Sequence, residues 1–87
     1  MTDYTIIPEH MRDAAKNYIE RRIPPGLFLT AVICNDLFGA FGRADEINRD
    51  AMFDWVCFFY NEAPSACWGS LAVMDAWVSA RGDDAAA

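Results

Sequence analysis

Apolar residues recur at helical spacing along most of this chain, and the interruptions of that rhythm divide it into four segments. The first helix is predicted from Pro8 to Arg22, with Ile7, Met11, Ala15, Tyr18 and Arg22 along one face. Pro8 suits a first turn, where a missing N–H is no loss. Ahead of it, Thr5, Ile6 and Ile7 are β-branched and predict a short extended lead. Ile23-Pro-Pro-Gly26 is the firmest breakpoint, because two successive prolines remove donors and restrict the residue before them. A second helix is predicted from Pro25 to Gly42. Leu27, Ala31, Cys34, Phe38 and Phe41 form one stripe and Leu29, Ile33, Leu37 and Ala40 another, so most of its sides should be covered.

Asp45 reads as an N-cap with Asn48 at the third helical position, opening a third helix from Glu46 to Asn61. Ile47, Ala51, Trp55, Phe58 and Phe59 lie on one side of it, with Met52, Val56 and Tyr60 adjoining. Asn48, Arg49, Asp50, Asp54 and Glu62 leave a narrow, mostly acidic solvent edge. Five aromatic residues fall within Phe53–Tyr60, and each covers about 150–250 Å² when buried. This helix is therefore expected to be the hub. Pro64 and Gly69 mark a loop, Ser70 caps a last helix from Leu71 to Ala80 with Leu71, Met74, Trp77 and Val78 inward, and Gly82 ends it. The expected fold is all-α, a compact bundle of about four short helices, with one domain over 1–82 and a mobile acidic and alanine tail over 83–87.

Inside the second helix, Asn35-Asp36 needs an account, since an unpaired buried carboxylate would be costly. Either these residues form an exposed edge, or Asp36 pairs with Arg43, Arg12 or Lys16, or caps a loop. Gly39 and Gly42 each cost about 1 kcal/mol in a helix interior, which fits a close helix crossing or a helix end.

Composition narrows the range of functions. The chain has 87 residues, 54% of them hydrophobic, more than so small a core readily hides, and this predicts an exposed apolar patch. Seven basic residues face thirteen acidic ones, a net charge of −6. Residues 1–44 are balanced at five each, whereas residues 45–87 hold two basic and eight acidic groups. Such a field disfavours nucleic acid and anionic lipid and suits a basic partner. The three cysteines, Cys34, Cys57 and Cys67, form no C-x-x-C pair and fit reduced thiols in a cytoplasmic protein. No export signal opens the sequence, and no apolar run approaches the roughly 20 residues of a membrane span.

Candidate chemistry is sparse. His10 is the one histidine, at the start of the first helix, and Cys67 has no cation nearby in sequence to activate it. Neither zinc-ligand spacing, nor a calcium loop, nor a phosphate-binding glycine motif is present. The reading is accordingly non-enzymatic, without cofactor or metal.

Ile7-Pro-Glu-His-Met11, Ile23-Pro-Pro-Gly-Leu-Phe-Leu-Thr-Ala-Val32, Asn35-Asp-Leu37, Ala44-Asp45 and Tyr60-Asn-Glu-Ala-Pro-Ser-Ala-Cys-Trp-Gly-Ser70 resemble a family of small tailed-phage and prophage proteins. That resemblance implies an accessory protein acting in the cytoplasm of an infected bacterium, by binding a host or defence-system protein. Asp50, Asp54, Glu62, Trp68 and Asp75 are the candidate contact residues on an acidic and aromatic surface. One alternative is an oligomeric sponge for a nucleotide signal, using Asn35, Asn61, Ser65 and Trp68, with Arg12, Arg21, Arg22 or Arg43 converging on the phosphate. Another is a DNA mimic, for which a net charge of −6 is modest. A homodimer is compatible with each.

Overall fold

The hub forms in part as expected: Trp55 and Phe58 are fully buried and Phe59 nearly so, on a helix that lies against the N-terminal lead and the second segment, whereas Ile47, Phe53 and Tyr60, also counted towards it, are exposed. In the computed structural model, residues 2–86 are described, with side chains for residues 2–80. The described residues are all-helical, comprising α1 (Arg12–Arg21), α2 (Leu27–Ile33), α3 (Leu37–Arg43), α4 (Glu46–Asp50), α5 (Met52–Asn61) and α6 (Leu71–Ala86). Three 3₁₀ turns, at Tyr4–Ile6, Glu9–Met11 and Ser65–Cys67, complete them. The radius of gyration is 12.4 Å, close to the roughly 12 Å of a single compact domain of this length.

Edge-to-face and stacked rings organise the centre. Trp55 meets Phe28 of α2 at 5.7 Å, Phe58 at 6.3 Å and Phe59 at 6.1 Å between centroids, and Tyr4 closes over Phe58 at 5.6 Å. Such pairs add about 0.5–1.5 kcal/mol each beyond the area they bury. Ile7, Tyr18, Leu29, Ile33 and Cys67 extend this core towards α1, α2 and the loop before α6.

Two of the four expected helices are each divided. The stretch from Pro25 to Gly42 breaks at Asn35, whose φ of 63° is left-handed. The Asp36 N–H donates to the Ala31 carbonyl (2.8 Å) and the Asn35 N–H to the Val32 carbonyl (3.1 Å), the nested pair of a Schellman stop. Asp36 then caps α3, its carboxylate accepting from the Gly39 N–H at 3.0 Å. Of the alternatives for Asp36, capping is the one realised, and it accounts for Gly39 as well. A Cβ there would run into the capping carboxylate and the Arg43 guanidinium. The stretch from Glu46 to Asn61 bends at Ala51 (φ −96°, ψ 14°) into α4 and α5.

Smaller corrections follow from local bonding. The lead is not extended: Asp3 accepts from the Thr5 N–H and winds Tyr4–Ile6 into a 3₁₀ turn, while Ile7 is buried as expected. α1 begins at Arg12 behind the second 3₁₀ turn and stops at Arg22, whose left-handed φ of 59° lets its N–H reach the Tyr18 carbonyl. Asp45 and Ser70 cap as read, accepting from the Asn48 and Val73 N–H groups. Asn48, placed on the solvent edge by its polarity, is 3% exposed, because its Oδ1 takes the Trp55 indole N–H at 3.1 Å. In α6, Met74 is buried and Trp77 and Val78 half-buried, but Leu71 at the first turn is exposed. A lone glycine is a weak breaker, and α6 runs past Gly82. The tail mobility expected for 83–87 concerns positions outside those whose side chains are described.

Candidate interaction surface

The exposed apolar residues are concentrated rather than scattered. At about 100° per residue, Trp55, Phe58, Phe59 and Met52 occupy the buried arc of α5, and Val56, Tyr60 and Phe53 occupy the arc beside it. The latter three are exposed. Asp54 and Asn61 fill the remaining edge. The apolar surface of α5 is thus wider than the core that α2 and the lead supply.

A narrow slot of about 120 Å³ opens between α2, α5 and the loop before α6, walled by Val32, Asn35, Trp55, Val56, Phe59, Tyr60 and Trp68. The Trp68 indole N–H is shut off from solvent and meets no acceptor among the described residues. Its ring lies 6.1 Å from that of Tyr60. The loop carrying Trp68 is fixed from two sides. The Tyr18 hydroxyl donates to the Cys67 carbonyl at 2.6 Å, and the Gly69 N–H donates to the Ile33 carbonyl at 2.7 Å. Gly69 has a φ of 129°, a conformation that favours glycine.

The candidate contact residues are distributed around the molecule. Asp50, Asp54 and Asp75 are exposed, with Asp50 3.7 Å from Arg49. Asp75 on α6 lies near Cys34, whose thiol is pushed up first by burial and then by the Asp75 and Asp36 charges. Glu62 is partly occupied in holding the lead: its carboxylate accepts from the Asp3 N–H (3.1 Å) and its carbonyl from the Thr2 hydroxyl (3.3 Å). Trp68 is half-buried in the slot. Of the sponge residues, Asn35 and Trp68 share that slot, while Asn61 and Ser65 are exposed outside its walls. Arg12 donates to the Ile7 and Thr5 carbonyls, and Arg22 stacks 3.7 Å above the Trp77 ring. Arg43 lies in a separate cleft with Leu27, Cys34 and Leu71.

Reactive groups are held in quiet settings. Burial pushes the Cys67 thiol up to about 11, so its nucleophilic thiolate is scarce at neutral pH. His10 Nε2 lies 2.9 Å from the Asp45 carboxylate on the surface. Among the described residues no three His, Cys, Asp or Glu side chains group to hold a metal ion, and no helix is long and apolar enough to cross a membrane. The exposed apolar arc of α5 and the indole N–H left without an acceptor were missed in the sequence. The signal for the first was available, since apolar positions on α5 span more than one helix side. No family model matches the chain, and no curated protein or solved structure is significantly similar to it.

Proposed function

We propose that this chain is a non-enzymatic binding protein of the small tailed-phage accessory kind that its segments resemble. It acts in the host cytoplasm on a host or defence-system protein. The observation that supports the reading most is the outer side of α5, where Phe53 and Tyr60 stand 77% and 74% exposed with Asp54 between their turns and Asp50 just ahead. Aromatic rings near exposed carboxylates suit a partner surface that combines apolar pockets with Lys or Arg.

The test is retention from host lysate on immobilised protein at rising salt. The expected result is a defined protein that is retained by the wild type and lost in the Asp50→Asn, Asp54→Asn, Trp68→Ala variant, with retention falling as salt rises. Retention of nothing at any salt, or of the same protein by the variant, overturns the proposal. The sponge reading is favoured by one observation, the shared slot of Asn35 and Trp68. Calorimetry against cyclic nucleotides tests it, and heat of binding abolished by Trp68→Ala is its required outcome.

A further inference from the structure

On α3 only Ala40 is buried, and Leu37, Phe41 and Phe38 cover an adjoining arc of about 100°. They are 61%, 44% and 89% exposed. Leu37 and Val56 line one cleft together with Ala40 and Met52, so the apolar arcs of α3 and α5 meet there. That cleft shares Val32, Asn35 and Val56 with the slot at Trp68, which makes the two hollows one continuous groove across the face.

The size of this face decides what it fits. Four aromatic rings at these exposures, with Leu37 and Val56, present roughly 700 Å² of side chain. The largest apolar patch of a typical monomer is about 300–600 Å². One side of a standard stable interface is about 800 Å². The face also carries both projecting rings and a hollow, as a surface must if it is to pair with itself about a two-fold axis. Of the nearby charges only Asp36 lines the groove, with its carboxylate accepting from the Gly39 N–H, while Arg43 and Asp54 lie on helix sides away from the apolar arcs, so no row of like charge crosses the face.

We propose that the exposed faces of α3 and α5 form an isologous interface between two copies of this chain. A projecting phenyl ring of each copy enters the Tyr60–Trp68 slot of the other. This pairing covers the same Phe53, Tyr60 and Trp68 surface as the binding function proposed above, so a partner protein and a second copy would compete for it, but the pairing does not depend on that function.

Light-scattering mass measurement of the full chain from micromolar to sub-millimolar concentration tests the pairing. The expected wild-type mass is twice that of one chain at the upper end. Leu37→Glu and Phe53→Glu should each weaken association at least tenfold with helical circular dichroism unchanged. Phe53→Ser provides a milder variant should the acidic ones unfold. Ile47→Glu, at an equally exposed residue in a different cleft beside His10, should leave the dimer intact. A single-chain mass at every concentration overturns the proposal, as does a dimer indifferent to Phe53→Glu and Phe53→Ser, or one broken by Ile47→Glu alone.

Discussion

Asn48 shows what a single polar residue does inside this core. Its side-chain carbonyl is the acceptor for Trp55, and both residues are buried, so Asn48→Ala strands an indole N–H away from water. The expected loss is about 1–3 kcal/mol, read from the urea midpoint. At the surface, Asp45 has its carboxyl held below its ordinary 3.8 by the Asn48 N–H first and by His10 second. A depressed carboxyl contributes stability above its ordinary value and loses it as pH falls through the folded one. Asp45→Asn keeps a capping oxygen but removes this linkage. Its stability should therefore fall less steeply than the wild type's below about pH 4, in acid titrations followed by circular dichroism. The Asp45 and Ser70 caps were legible in the sequence because capping is a local rule. The burial of Asn48 was not, since its partner Trp55 is seven residues on, about two turns away, and only tertiary packing closes water off from the pair.

Among the elements, the break between α2 and α3 is the feature that periodicity concealed. Residues 27–42 are apolar enough to continue a helical stripe in any frame, and hydrophobicity alone therefore carries no stop. The stop lies in the chemistry of Asn35-Asp36, one residue tolerant of left-handed φ followed by a strong N-cap. Asn35→Gly should be neutral or stabilising, whereas Asn35→Ala should cost about 1–2 kcal/mol in thermal or urea unfolding. The same composition left the candidate surface half legible. An excess of apolar residues predicted a patch, but its place on α3 and α5 depended on which arc the core consumed, and that is settled by packing. The candidate carboxylates, chosen by charge, lie on several elements because acidic residues cap, pair and solubilise as well as bind.

For the molecule as a whole, the N-terminal lead is part of the core rather than an appendage. Ile7 is 1% exposed, Tyr4 covers Phe58, and Thr2 and Asp3 are bonded to the far end of α5 at Glu62. Ile7→Ala is expected to destabilise the protein by about 2–5 kcal/mol in urea unfolding, as for other truncations in a filled interior. The three indoles of the chain sit in three unlike settings: Trp55 sealed and bonded to Asn48, Trp77 beneath a guanidinium and bonded to the Tyr18 carbonyl, and Trp68 at the mouth of the slot. The molecule consequently carries its own optical reporters. With Trp55 and Trp77 replaced by Phe in a variant that still folds, the emission wavelength of the remaining fluorophore would register occupancy of that opening without any added dye.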